Sequence, residues 1–214
     1  MRLPLSPVPT RMLAALLLTV LAIATSPAAQ AQAQAQAQRY ELDPVHSRIV
    51  FSIGHNGYSS ALGTFSQPRG TLYLDEDDLA GSRVEVEVDL ATLDLGDTGF
   101  NQRILKRDFL DVQTHPLARF VSNRVEVLDE QRLRVQGVLT LRGVEGPLVL
   151  EARLNKLARS RYTLRRTAGF SASARLQRAD FGITRHAGSI GAQVDLRIEV
   201  EAVRARGVSP DETQ

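Results

Sequence analysis

The chain has 214 residues, of which 43% are hydrophobic and 23% charged, and it contains no cysteine. Its length and composition suit one globular domain with a sizeable core, and the lack of cysteine excludes thiol catalysis, disulfide bonds and Cys-attached haem. The first 38 residues hold two arginines and no acid, so the remainder has a formal net charge of zero. A neutral domain in which acidic and basic residues alternate argues against nucleic-acid binding.

The N-terminus has the features of a secretory signal peptide. Arg2 and Arg11 give it a positive start, and residues 12–24 form an uncharged apolar run. A retained membrane anchor is the alternative, but the run is short for a bilayer span, which needs about 20 residues. Small residues at 29–31 suit a cleavage site. We therefore predict that residues 1–31 are a cleaved signal peptide and that the protein is exported to the periplasm.

An Ala-Gln repeat follows the signal peptide and runs through Gln38. Such a low-complexity polar segment cannot bury an apolar face, so residues 32–38 are predicted to be a disordered leader. Residues 39–206 are predicted to form one domain, and residues 207–214 a flexible tail.

From Tyr40 onward, apolar residues recur with a period of two, which predicts β-strands. The clearest case is residues 84–90, where apolar and acidic side chains alternate. About eight such strands, each with one apolar and one polar face, predict an all-β fold, namely an eight-stranded antiparallel barrel. The seven clearest segments are residues 49–53, 72–74, 84–90, 133–141, 148–154, 168–176 and 195–202, with a bulge expected near residues 68–70. The predicted turns are residues 56–57, 75–78, 128–131 and 142–147.

One stretch breaks the period of two. Between Asp97 and Phe109, apolar residues are four apart, as in Phe100 and Ile104, which is helical spacing. Asp97 or Thr98 can cap the start of a helix. We predict one short amphipathic helix near residues 99–108 that covers one end of the barrel.

The interior of the predicted barrel has two alternative states. An eight-stranded barrel is just wide enough either to be filled by side chains or to hold one small ligand. Small inward residues such as Gly137 and Ala172 leave space for a ligand. Large side chains such as Phe51, Phe120 or Phe181 can fill that space instead, so the residues alone leave both states open.

No motif for catalysis or metal binding is present in the sequence. The histidines lack the i,i+4 or compact spacing of metal ligands, and they are His46, His55, His115 and His186. The chain also lacks a Gly-x-Ser-x-Gly elbow and a glycine loop that cradles phosphate ahead of a helix. We therefore predict no catalytic residues, no metal ion and no cofactor.

An ordered set of segments resembles the YceI-like family, and it spans residues 39–204. The segments are YELDPVHS at 40–47, FSIGH at 51–55, GTF at 63–65, DFLDV at 108–112 with Pro116 and Phe120, GVLTLRGV at 137–144 with Pro147, RADFGI at 178–183 and VDLRIEVEA at 194–202. The resemblance implies an extended lipocalin-like barrel around a long apolar tunnel. It also implies a lipid ligand such as a polyisoprenoid, an isoprenoid quinone or a fatty-acid derivative, a homodimer, and transient contact with a membrane surface.

The chain departs from the family pattern at one place. Family members often have an Arg-Asp pair ahead of the Asp-Phe pair, where this chain has Asn101 and Gln102. Because that pair is a candidate for contacting the ligand headgroup, the resemblance does not fix a particular lipid.

The candidate ligand-binding residues follow from the inward rows and the helix. His55 and Asn101 are the polar candidates at the mouth of the tunnel, with Arg103 behind them. The wall candidates are Phe51, Ile53, Phe65, Ile104, Leu105, Phe109, Phe120, Phe170, Ala172 and Phe181. The leading hypothesis is a carrier that holds a lipid without catalysis. The alternatives are an enzyme acting on such a lipid and an interaction module with a filled barrel.

Overall fold

A computed structural model describes residues 37–206 of the chain. The predicted signal peptide, residues 32–36 of the leader and the C-terminal tail lie outside the described residues. The first strand begins at Gln38, which is the last residue of the predicted leader.

Ten antiparallel strand segments and one α-helix make up the described part of the chain. The strands are β1 Gln38–Leu42, β2 Arg48–His55, β3 Ser59–Ser66, β4 Arg69–Leu74, β5 Arg83–Asp89, β6 Leu117–Val127, β7 Arg132–Leu141, β8 Val144–Arg159, β9 Arg166–Gln177 and β10 Ile190–Arg204. The helix α1 spans Thr98–Ile104, and single 3-10 turns span Leu79–Gly81, Leu90–Thr92 and Arg178–Phe181.

The ten segments form eight rows around a closed barrel. Both β1 and β2 pair with the long strand β10, β1 near its C-terminal end and β2 along its N-terminal two thirds. Likewise β4 pairs with β1 while β3 pairs with β2. The segments β1 and β2 therefore form one interrupted barrel strand, and β4 and β3 form a second. Strands β5 to β10 complete the ring in chain order. The predicted eight-stranded antiparallel barrel is confirmed.

Both interruptions are held by side chains that the barrel buries. Between β1 and β2, the fully buried Ser47 accepts a hydrogen bond from the Glu201 amide through its hydroxyl. Between β3 and β4, Gln67 adopts a left-handed φ of 55° and Pro68 is fully buried. This second interruption lies where the sequence predicts a bulge.

The helix is shorter than predicted. It ends at Ile104, and residues 105–110 form turns instead of the predicted last turn of helix. The chain folds back on the helix end, since the Leu110 amide donates to the carbonyl of Ile104 at 3.0 Å. This fold-back buries Phe109 and Leu110, which a continued helix would place on different faces.

The turn between β7 and β8 is also shorter than predicted. Arg142 and Gly143 alone form it, with φ of 53° and 73°, as in the two-residue turns that join antiparallel strands. Pro147 lies within β8, opposite Val138 of β7. It is tolerated there because β9 pairs with β8 only from Glu151 onward, so the missing N–H is not needed on that side.

Candidate ligand-binding cavity

The barrel interior contains two apolar cavities of about 190 and 210 Å³. We call the first the inner cavity, which is lined mainly by β4 to β10. The second is the helix-side cavity, which is lined by β2, β3, α1, residues 90–110 and the start of β10. The two share five lining residues and are therefore neighbouring parts of one interior. The shared residues are Ile49, Val88, Ala118, Leu139 and Leu196.

Nine of the twelve candidate binding residues line these cavities. The helix-side cavity is lined by Phe51, Ile53, His55, Phe65, Ile104 and Phe109. The inner cavity is lined by Phe120, Phe170 and Ala172. The period of two in the strands places seven of these side chains on the inner face, as the sequence predicts, while Ile104 ends α1 and Phe109 lies in the turn after it.

The other three candidate residues do not line a cavity. Asn101 accepts a hydrogen bond from the Leu95 amide at 2.7 Å and donates to the Asp94 carboxylate at 3.4 Å. It therefore ties α1 to the preceding loop. Leu105 packs against the core below the helix, and Phe181 is buried in that core.

Three phenylalanine rings lie over glycines of neighbouring strands. A Cβ atom on Gly137 would lie 2.5 Å from Phe120 Cζ, and one on Gly63 would lie 2.4 Å from Phe51 Cζ. A Cβ atom on Gly146 would lie 2.9 Å from Phe181 Cζ. Of the two alternatives that the sequence left open, the filled one holds at Gly137, because the ring of Phe120 occupies the space beside it. Phe51 and Phe120 still line the cavities.

Several lining residues were not among the candidates. The segment between β5 and β6 contributes a row of apolar side chains to the helix-side cavity, namely Leu90, Leu93, Leu95, Phe100 and Leu110. Leu90 ends the predicted strand 84–90 and Phe100 lies in the predicted helix, but Leu93, Leu95 and Leu110 lie outside helices and strands, so no sequence period reveals them. The cavity is also lined by Arg178, a residue type that is rarely buried.

Arg178 is only 4% exposed. Its guanidinium donates hydrogen bonds to four backbone carbonyls of the loop that precedes and begins β10. These bonds fix residues 183–191 across one end of the barrel. His55 lies beside this loop, because it pairs with Ile190 in the β2–β10 ladder.

A polar cluster around the buried Tyr40 lies at the opposite end of the barrel. Tyr40 donates a hydrogen bond to the carboxylate of Glu76, and Arg166 pairs with the same carboxylate at 2.6 Å. Burial, together with the neighbouring Glu76 carboxylate, raises the pKa of Tyr40 to about 12. Burial opposes ionisation of Glu76, but the hydrogen bonds from Arg166 and Tyr40 outweigh it and lower the pKa of this carboxyl below 4.5.

One histidine lies near two acids, although its sequence spacing does not suggest it. Ligand atoms of Asp43, His46 and Glu201 lie within 4.8 Å of one another. His46 Nδ1 is 2.8 Å from a carboxylate oxygen of Asp43, and this hydrogen bond raises the pKa of His46. The raised pKa favours the protonated imidazole beside Asp43, and Nδ1 is already engaged in this hydrogen bond.

The fold and its interior define a class of small antiparallel β-barrels that enclose an apolar space. Residues 40–202 match the family model described as the YceI-like domain, and the chain belongs to that family. It is 35% identical over 161 residues to "Protein YceI" of Escherichia coli O6:H1, covering 75% of this chain and 83% of that protein. A UPF0312 protein of Azotobacter vinelandii is 35% identical over 159 residues, covering 74% and 82%.

Solved structures share the fold at lower sequence identity. The crystal structure of Burkholderia cenocepacia BcnA superposes with a TM-score of 0.68 at 19% identity, covering 75% of this chain and 98% of that one. A polyisoprenoid binding domain from Saccharophagus degradans superposes with a TM-score of 0.61 at 16% identity, covering 78% and 98%. Within residues 37–206, no helix is long and apolar enough to cross a membrane.

Proposed function

We propose that this protein is a periplasmic carrier that holds one long apolar lipid inside its barrel and performs no catalysis on it. The observation that carries the proposal is the apolar interior, with its two adjoining cavities of about 190 and 210 Å³. The predicted signal peptide supports export. The name of the Saccharophagus degradans domain, a polyisoprenoid binding domain, supports the ligand class.

The cavities are too large to be ordinary packing defects. Protein interiors are packed as densely as organic crystals and contain few voids larger than a water molecule. At about 24 cal/mol per Å³, an empty cavity of 200 Å³ costs about 5 kcal/mol. Apolar cavities of roughly 150 Å³ already bind small apolar molecules. A ligand that fills the interior removes this cost, which supports a binding function over a filled-barrel module.

A long hydrocarbon chain suits such an interior. Each buried methylene contributes about 0.8 kcal/mol, so roughly 5–19 methylenes offset an association cost of roughly 4–15 kcal/mol. A polyisoprenoid, an isoprenoid quinone or a fatty-acid derivative has enough carbon. Apolar walls discriminate weakly among tails, since one methylene is worth about 1–3 kcal/mol, so selectivity depends on polar groups at the ends. Loading and release would require transient contact with a membrane surface.

Mass spectrometry of lipids extracted from the gently purified, exported protein tests the proposal. We expect one stoichiometric species with an isoprenoid or acyl chain. Protein that is empty, and stays empty when offered quinones and polyprenyl phosphates, would instead favour the interaction module. Chemical conversion of the bound lipid during incubation would favour the enzyme. Light scattering on the same sample measures whether the protein is the homodimer that the family suggests.

A further inference from the structure

We propose that Arg178 receives the polar head of the ligand, and that this head is an anionic group with exposed oxygens, such as a phosphate or a carboxylate. The inference rests on the proposed lipid-binding function and deepens it. It assigns the headgroup to the helix-side cavity, and it orients the tail toward the inner cavity. The argument depends on the donors, the charge and the position of this one side chain.

The guanidinium is held in place by the loop but is not saturated by it. Nε donates to Gly191 at 2.8 Å, Nη1 donates to Ile183 at 2.6 Å and to Arg185 at 2.9 Å, and Nη2 donates to Ile190 at 3.2 Å, in each case to the backbone carbonyl. An arginine has five N–H groups, so these bonds leave one N–H of Nη2 without a hydrogen-bond partner among the described residues. The Nη2 contact is also the longest of the four.

The positive charge of Arg178 has no carboxylate to balance it. Within residues 37–206, no Asp or Glu oxygen lies within 4.0 Å of its guanidinium. The exposed acid Asp108 lies near the same loop, but it faces Arg185 at 3.8 Å. Carbonyl oxygens satisfy the hydrogen bonds but carry no net charge, so the group keeps a full positive charge in an apolar wall. Buried charges in proteins are usually paired, which marks the site as incomplete without an anion.

Arg83 at the inner cavity shows the ordinary arrangement by contrast. Its guanidinium stacks 3.8 Å above the ring of Tyr73 and pairs with Glu85 at 3.2 Å. That charge is already neutralised and half exposed. Among residues 37–206, two arginines line the cavities, and of these only Arg178 is both buried and without a paired carboxylate, so the anionic head belongs at its end of the interior.

A second arginine strengthens the positive potential at this end. Arg142 donates to the carbonyls of Gly182 at 2.7 Å and Arg107 at 3.0 Å. Gly182 directly precedes Ile183, whose carbonyl accepts a hydrogen bond from Arg178, so the two arginines bind adjacent carbonyls of the loop. The Nε of Arg142 is buried and has no hydrogen-bond partner among the described residues.

The position of Arg178 also suits a headgroup that enters from solvent. It binds the carbonyls of Ile190 and Gly191, where the register of the β2–β10 ladder shifts. His55, which pairs with Ile190, is exposed and also lines the helix-side cavity. A head held between these two side chains would lie at the mouth, with the apolar walls available to the tail.

The unmodified protein provides the first test, through titration with four ligands of matched chain length. These are geranylgeranyl phosphate, geranylgeraniol, geranylgeranyl amine and a C20 fatty acid. We expect the phosphate and the carboxylate to bind about tenfold or more tightly than the alcohol, because charge-assisted hydrogen bonds are the stronger ones, and the amine to bind most weakly. Equal binding of phosphate and amine would overturn the headgroup assignment while leaving lipid binding intact. Failure of all four to bind would overturn the proposed function itself.

Salt separates the buried site from the exposed basic residues of α1 and its turn. If Arg178 inside the barrel sets the preference for phosphate over alcohol, that preference should persist between 50 and 500 mM salt, because buried charges are screened little. A preference that disappears with salt would place the recognition on surface residues such as Arg103, Lys106 and Arg107 and would overturn the proposal.

Variants provide the second test. Arg178→Met should abolish the preference for phosphate over alcohol. Arg178→Lys, which keeps the charge, should retain part of the preference. Arg175→Met is the matched control, because Arg175 is exposed and pairs with Asp195 on the outside of the barrel. A folded Arg178→Met protein that keeps the full preference would contradict the inference.

Loss of the four loop contacts could also prevent Arg178→Met from folding. In that case, ¹⁵N-arginine NMR of the unmodified protein gives a readout that needs no variant. We expect geranylgeranyl phosphate to shift one buried Nε–H resonance and geranylgeraniol to leave it in place. No shift with the phosphate bound would overturn the contact.

Discussion

The ring of Phe120 lies over Gly137 of the neighbouring strand and occupies the place where a side chain on that residue would begin. Phe51 has the same relation to Gly63, its register partner in the β2–β3 ladder. A ring that packs on a glycine can stay close to the barrel wall. Two large side chains therefore line the cavities without filling them, which explains how a barrel with these residues on its inner face remains hollow.

Substitution of Gly63 by Ala should reduce the helix-side cavity. The new Cβ would lie 2.4 Å from Phe51 Cζ and 2.8 Å from Leu95 Cδ2, so the ring must move away from the wall. We expect lower lipid affinity and a loss of about 1–3 kcal/mol in the free energy of unfolding, as in overpacked cores. Ligand titration and denaturant unfolding measure the two effects.

Gly169→Ala is the matched control for this substitution. A Cβ on Gly169 would meet no atom closer than 3.9 Å, and that residue lies in the same sheet. Unchanged affinity in Gly63→Ala, with the ring of Phe51 still in its original place, would contradict the role assigned to the glycine.

Ala172→Trp should block the inner cavity while the barrel stays folded. Ala172 lies in β9 between Ala152 and Ile198, both of which also line this cavity. A Trp side chain there would extend into existing space, so we expect a large loss of bound lipid with little change in far-UV circular dichroism. Ser173→Trp, on the exposed face of the same strand, is the control. Full lipid occupancy in Ala172→Trp would mean that the ligand does not pass this point.

The strand pattern predicted most of the barrel because alternating burial leaves a direct mark on the sequence. Residues 168–176 alternate between inner and outer faces as expected, and Phe170 and Ala172 line the cavity as that pattern requires. The pattern cannot show which neighbouring side chain occupies a given inner position. It left open whether Gly137 leaves space or a large side chain fills it, and the ring of Phe120 on the adjacent strand β6 fills that space.

The residues that the sequence did not reveal lie where the period of two ends. Arg178 has the same parity as Phe170 and Leu176, so a longer extension of the β9 pattern would have placed it inward. A 3-10 turn begins at that residue, and an arginine is ordinarily expected on the surface. Leu93 and Leu95 lie in an irregular segment, where burial depends on tertiary packing and has no sequence period.

Asn101→Ala should loosen the segment over the helix-side cavity without altering headgroup preference. Asn101 holds the Leu95 amide and contacts Asp94, whose backbone exchanges two hydrogen bonds with Thr64 of β3 at 2.8 and 2.9 Å. Loss of the Asn101 contacts should cost about 1 kcal/mol and speed amide hydrogen exchange in residues 93–105. The exposed neighbour Gln102→Ala should leave exchange unchanged. An altered preference between prenyl phosphate and alcohol would restore Asn101 as a headgroup contact.

Glu76→Gln should destabilise the end of the barrel around Tyr40, with an effect that depends on pH. The carboxylate accepts hydrogen bonds from the fully buried Tyr40 and from Arg166, and such charged hydrogen bonds contribute about 1.5–3 kcal/mol. The lowered pKa of Glu76 means that its contribution is present above about pH 4.5 and is lost as the pH falls through the lower folded value. The raised pKa of Tyr40 means that its contribution is lost as the pH rises from about 10 toward 12. Denaturant unfolding between pH 3 and 11 should therefore show the largest difference between the two proteins near neutral pH.

Glu41→Gln is the control for Glu76→Gln. It removes an exposed pair with Arg39 on the same strand and should change stability by less than about 0.5 kcal/mol. Equal losses in both variants would show that the contacts of Glu76 with Tyr40 and Arg166 contribute no more than a surface ion pair.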